Sequence, residues 1–429
     1  MRVNARTITG GLLLLTLGLV ATFLLRSEFG HHCGDRQALL PDTPMPPCLG
    51  KFTDDYASPQ TPPPPLGQTN DGIYPGLTVT RVSSNDSLKT ENGRARHQYS
   101  KRQVWNSNET RLVIASQVLD AATLEIVDDS IGLSASFNWS NLVPELLYGI
   151  SYNPDPNVFG SYHIETKEFT EEYVFSDYQK CSLGHGEGNL SNDDRFALLT
   201  CVVSDTEGQY LVTFDRAENK VLGTLKADPK YNWAGFSQSG NYVVVENSVP
   251  GVPGRELIRY TPDLQESRLL STYVEHGDLG VDEAGDDVYV MIGRENLTYV
   301  RLRDGQKVSI ELGGLLGKWR SWNPGFGHVS CRNIHRPGWC YISTKKRKVV
   351  GAVRIGYPRP EFRSANRDGE SVIRGYRALE HWGFHHSSDK DYNAQAKASV
   401  SPSGTKIIVT SDWDGRGEVN DYVIALEPL

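Results

Sequence analysis

From about residue 97 onward, short apolar runs alternate with small polar clusters, and they do so as one recurring unit. Each unit has a polar or aromatic start, a short strand, a tight turn, and a second strand rich in Val, Ile, Leu and Tyr. The copy at 399–411 is the clearest, because Ser401-Pro402-Ser403-Gly404 separates two alternating stretches. Pro402 presets φ and Gly404 accepts a positive φ, which is turn chemistry, and the alternation on either side is strand chemistry. Further copies lie at 105–114, 190–199, 236–245 and 281–290, with looser ones at 139–148 and at 330–343, where Pro337-Gly338 makes the bend. That makes seven units, and turn positions 194, 240, 285, 338 and 404 fall 45 to 66 residues apart. Hairpins recurring at such a period, without helical periodicity, predict an all-β, seven-bladed β-propeller. The alternating stretch Leu77–Val82 is predicted to complete the last blade beside 421–427 and so close the ring.

Ahead of the repeats, residues 8–25 carry no charge and lie between Arg2, Arg6 and Arg26. Eighteen helical residues span roughly 27 Å, enough to cross a hydrocarbon core. Val20-Ala21-Thr22 is followed by more apolar residues rather than by a cleavage site. The segment therefore reads as an uncleaved signal anchor, with residues 1–7 cytoplasmic and the remainder outside, in the periplasm or at the cell exterior. Residues 26–76 hold a run of four prolines at 62–65 and read as a proline-rich linker, leaving 77–429 for the propeller. The six cysteines fall as local pairs, Cys33 with Cys48, Cys181 with Cys201 and Cys331 with Cys340. An oxidising compartment permits them as disulfides, although six cysteines allow fifteen connectivities.

A net charge of -8 excludes a nucleic-acid partner, since no excess of Lys or Arg is available to neutralise phosphates. The basic run Lys345–Lys348 reads as a solvated turn, and His385–Asp389 as a surface loop in a long insertion before the last unit. Phosphate-binding and dinucleotide-binding Gly motifs are both missing, and so is a Gly-x-Ser-x-Gly elbow. Counting nine residues back from turn positions 194, 240, 285 and 404, and from Pro337 in the sixth unit, gives His185, Tyr231, His276, Gln395 and His328, placed by register at one end of a central channel. Neutral imidazoles from neighbouring blades, with an amide oxygen, can bind a divalent metal.

The Ser-Pro-Ser-Gly repeat resembles the WD40-like repeat of TolB-type propellers, and residues 95–425 resemble the propeller polysaccharide lyases, notably oligogalacturonate lyase. That second resemblance implies a manganese site of His and Gln on adjacent blades, mapped onto His276, His328 and Gln395 of units five, six and seven. This chain departs from the family in the last unit, where Lys397 and Ser399 stand in place of a family His. The resemblance also implies an acidic polysaccharide cleaved by β-elimination. His185 or His276 would be the base, Arg102, Arg332 and Lys397 the carboxylate partners, and Tyr231, Trp233 and Trp322 the substrate contacts. The alternative is a non-catalytic propeller that presents a recognition surface to an envelope protein or glycan.

Overall fold

The computed structural model describes residues 61–426, with interruptions at 75–76, 89–94, 153–154, 185–187, 205–207, 228–230, 249–254, 294–295, 312–325, 346–347, 357–362, 366–370 and 375–378. The predicted anchor, most of the linker, the Cys33–Cys48 pair, His185 and Trp322 therefore lie outside the described residues, among which no helix is long and apolar enough to cross a membrane.

Seven sheets, antiparallel except for one added strand in the fifth, follow one another along the chain, one for each repeating unit. The innermost strands of the last four are Tyr231–Phe236, Gly277–Val281, Gly327–Ser330 and Ser399–Val400. At six of the inner hairpins the turn residue adopts the left-handed conformation, with φ between 57° and 84° at Glu109, Asp194, Gly240, Gly285, Gly338 and Gly404. Five of them, all but Glu109, are the turn positions read from the repeat, and together the six define one face of the disc, here termed the lower face. The innermost strands begin at the opposite, upper face.

Burial on both sides explains why the strands are apolar runs more than strict alternations. Successive residues of a strand feed the two different interfaces that its blade makes. Ile407 and Val409 pack toward the sixth blade, whereas Ile408 between them packs toward the first. Seven apolar clusters result, one between each pair of neighbours, and fully buried rings such as Trp105, Trp382 and Phe214 anchor them. At roughly 25 cal/mol per Å² of apolar area, each buried aromatic ring contributes several kcal/mol before entropy is counted.

Polar contacts on the lower face repeat the same closure. Asn106 donates to the carbonyl of Pro144, Ser140 to Asp194, and the Asn192 amide to the carbonyl of Gln238. The Ser239 amide donates to Asp287, the Glu283 amide to the carbonyl of Ile355, the Tyr341 hydroxyl to the carbonyl of Gly404, and the Ser403 amide to Glu109. Every blade is thus tied to the next, including the seventh to the first.

Ring closure follows the expected route. Leu77–Arg81 pairs antiparallel with Asn420–Ala425, with Thr78 opposite Ala425 and Arg81 opposite Tyr422. Thr69–Tyr74 adds outside it, so the seventh blade also includes residues that the sequence reading assigns to the linker. Cys181 and Cys201 face each other across adjacent strands with Cα atoms 4.1 Å apart, and Cys331 and Cys340 lie 4.4 Å apart; both pairs are disulfides. Two strands were not anticipated: from the insertion within the sixth blade, Ser371–Arg374 runs parallel beside Lys307–Glu311 of the fifth, and Arg363–Ala365 pairs antiparallel with Ser371–Arg374.

The His385–Asp389 segment is not the surface loop expected. His385, His386 and Ser387 are at most 1% exposed. His386 Nδ1 lies 3.0 Å from Asp414 and its Nε2 2.8 Å from the Tyr74 hydroxyl, while its ring stacks on Trp413 at 4.3 Å. The partners come from both ends of the chain, so only the closed ring buries this segment.

Candidate functional site

The residues at the start of the innermost strands meet at the upper face. Gly277–Val281 begins directly after His276, Gly327–Ser330 contains His328, and Ser399–Val400 follows Gln395 and Lys397. The His276 and His328 rings lie 5.2 Å apart between centroids with planes inclined by 13°. His328 Nε2 is 3.3 Å from Gln395 Oε1, and the edge of Tyr99, preceding the first blade, meets the His328 ring at 5.2 Å. His328 is buried, Gln395 half-buried, and His276 exposed at the rim.

Two ammonium groups stand beside these rings. Lys397 is fully buried, with Nζ 3.5 Å from the Tyr392 ring centroid and 5.8 Å from that of Tyr99. Its backbone carbonyl lies 2.6 Å from His97 Nε2, and His97 Nδ1 is fixed 2.9 Å from Asp421. Lys101 donates to Glu246 at 3.2 Å and covers the Trp233 ring at 4.0 Å. Glu246 also accepts from Asn232, Arg255 and the Tyr289 hydroxyl. Burial pushes the Glu246 carboxyl up, but Lys101, Tyr289 and Arg255 outweigh it and hold the group below its usual value.

The imidazoles are uncharged at neutral pH. Burial above all, with His276, Lys397 and Lys101 nearby, lowers His328 to about 3, against an opposing hydrogen bond with Gln395. Burial by the surrounding protein, then Lys101 and Arg255, lowers His276 against Glu246 and a hydrogen bond with the Gly327 backbone, although the residue as a whole is exposed. His276 is therefore both reachable and unprotonated.

A divalent cation does not fit this donor set well. Among the described residues, no group of three or more His, Cys, Asp or Glu side chains is placed to hold one. The His328 Nδ1 is buried without a hydrogen-bond partner, which offers one lone pair. The nearby carboxylate of Glu246, however, is already shared among four donors, and two ammonium groups oppose a second cation at the same place.

Other expected contacts are committed inside the protein. Arg332 donates to Asp278 at 3.1 and 3.2 Å and to the carbonyl of Leu279, because the fully buried Asp278 of the fifth blade requires a counter-charge. The Arg102 guanidinium donates to the carbonyl of Phe137 and lies 5.1 Å from that residue's ring. Neither guanidinium is presented as a carboxylate partner. Tyr231 shares a 2.8 Å hydrogen bond with Thr200 inside the cluster between the third and fourth blades. A register shift after Tyr231 places Trp233 in the next cluster, 2% exposed, so neither ring offers a face to a sugar. Sequence reasoning missed Glu246, His97 and Tyr392. Glu246 left a faint signal, a carboxylate ending the apolar run Val243-Val244-Val245.

Fold and site together define a seven-bladed β-propeller with a histidine- and lysine-lined cluster at its upper face. Within that class, an oligogalacturonate lyase solved in complex with manganese has a similar fold, with TM-score 0.54 and 14% identity, over 84% of this chain and 96% of that one. An oligogalacturonate lyase from Vibrio parahaemolyticus gives TM-score 0.50 and 11% identity over 83% and 96% of the respective chains. At such identities the likeness is one of fold. No protein-family model matches the chain, and no curated protein does.

Proposed function

We propose that the protein is a lyase-like propeller that acts on an acidic polysaccharide by β-elimination, with His276 as the base. One observation carries this reading: an exposed, uncharged imidazole sits beside two buried ammonium groups at the mouth of the ring. The field of Lys101 and Lys397 attracts a uronate carboxylate and stabilises the negative charge that develops when its α-proton leaves. His276 takes that proton, the electron pair forms the C=C bond, and the C–O bond to the glycosidic oxygen breaks. The departing oxygen takes up one proton, which balances the one received by His276. Gln395 orients His328, which stays neutral and packs against the base. The shared fold with oligogalacturonate lyases supports the substrate class. Two disulfides suit the extracytoplasmic, membrane-anchored placement that the uncharged segment at 8–25 suggests.

The test is ultraviolet absorbance of the unsaturated product from galacturonate polymer, with the full-length protein assayed with chelator and with added Mn2+. Activity that survives the chelator and is lost in His276→Gln is the expected result. Activity appearing only with Mn2+ would return the charge-supplying role to a metal. Absence of product in both conditions refutes the lyase reading. It would favour a binding scaffold, which the internal commitment of Arg102 and Arg332 already suits.

A further inference from the structure

Two exposed tyrosines stand in the same register on either side of the site. Tyr273 precedes His276 by three residues, and Tyr392 precedes Gln395 by three. They belong to the segments leading into the fifth and seventh blades, and the blade between them supplies His328. Both are large aromatic rings left half open, at 50% and 55% exposure, at the upper face. Folding gains little from holding such rings at the surface, whereas the flat face of a pyranose ring stacks well on an aromatic face.

We infer that Tyr273 and Tyr392 are stacking platforms that bind sugars of one acidic saccharide chain on the two sides of the histidine cluster. This rests on the reading of the site as a uronate site, and it adds the residues that hold the chain across it. The two platforms differ in electrostatics. Beneath Tyr392 lies the Lys397 ammonium, 3.5 Å from the ring centroid. That charge holds the ring in place and offsets the negative face of the aromatic system, so the outer side accepts an anionic sugar. Beside Tyr273 is Glu275, whose carboxylate accepts a hydrogen bond from its hydroxyl. Tyr273 is therefore the weaker platform for an anion, and Tyr392 carries the preference for acid over ester.

Equilibrium binding of a galacturonate octamer to the full-length protein in detergent, measured calorimetrically, tests this without reference to bond cleavage. The fully methyl-esterified octamer serves as the neutral control. Tyr392→Ala should weaken binding of the acid about tenfold and Tyr273→Ala about threefold, while Tyr392→Phe, which keeps the ring, should bind like the parent. The parent should bind the ester distinctly more weakly than the acid. Both alanine variants remove exposed rings and should fold normally. Parental affinity in Tyr392→Ala overturns the inference, as does equal affinity for acid and ester or no binding of the octamer by the parent. Tyrosine-dependent binding without any unsaturated product upholds the platforms and refutes only the lyase step.

Discussion

Glu109 closes the ring, and replacing it by Gln isolates what that closure is worth. Its carboxylate, in the turn of the first blade, accepts from the Ser403 amide at 2.7 Å and from Lys406 Nζ at 2.7 Å, both in the seventh blade. The side chains of Glu109 and Lys406 are 10% and 21% exposed, so water screens the pair only partly. Burial pushes the carboxyl up, but the charge and hydrogen bonds of Lys406 and Ser403 outweigh it, and the folded pKa lies below the ordinary value of 4.5. Gln keeps an acceptor for the amide but loses the charge, and Lys406 regains some hydration. The expected loss is about 1–2 kcal/mol at pH 7, drawn from the worth of a charge-assisted bond. With a denaturant slope on the order of 3 kcal/mol per molar urea for a chain this size, the urea midpoint should fall by about 0.3–0.7 M. Trp105, buried in the cluster between the first and seventh blades, reports the transition by fluorescence. A depressed carboxyl pKa adds stability that is present above the unfolded value and lost as pH falls through the folded one. The gap between parent and variant should therefore narrow as pH falls below 4.5. Equal midpoints at pH 7, or a gap undiminished in acid, would refute the reasoning.

Other expectations concern the core, a turn, a disulfide and acid. Ile424→Ala opens a cavity between the sixth and seventh blades and should cost about 2–5 kcal/mol in urea unfolding; a loss below about 1 kcal/mol contradicts the packing. Gly404→Ala places a Cβ at φ +73°, 2.7 Å from the Tyr341 hydroxyl, and should lower stability by at least about 1 kcal/mol, checked by the same titration. Replacing Cys331 and Cys340 together by Ala should cost about 2–3 kcal/mol, and an unchanged midpoint would show that the bridge constrains nothing. Burial holds His328 at about 3 and His385 at about 4, so between the ordinary value of 6.5 and these values the unfolded chain binds more protons than the folded one. The urea midpoint should thus fall as pH drops from 6.5 toward 4, and His385→Gln should make that slope shallower; an identical slope speaks against a buried neutral His385.

What the chain determined by itself is local. A hairpin's turn, strand direction and length are set by neighbours in sequence, so the seven units and the left-handed turn glycines Gly240, Gly285, Gly338 and Gly404 were legible from Pro, Gly and apolar alternation. The Cys181–Cys201 and Cys331–Cys340 pairs followed, because each brackets such a bend. A similar offset from a turn, nine or ten residues to the left-handed glycine, also fixes height along the channel, which is why His276, His328 and Gln395 could be grouped before their contacts were known. Where each side chain then points, and what it meets, depends on the neighbouring blade. A one-residue register shift after Tyr231 sent Trp233 into another interface, and a buried Asp278 drew Arg332 away from the channel. Asp421 near the C-terminus fixes His97 near the start of the first blade, and His97 in turn steadies Lys397. These partners lie up to hundreds of residues apart, and only closure of the ring brings them within a few ångströms.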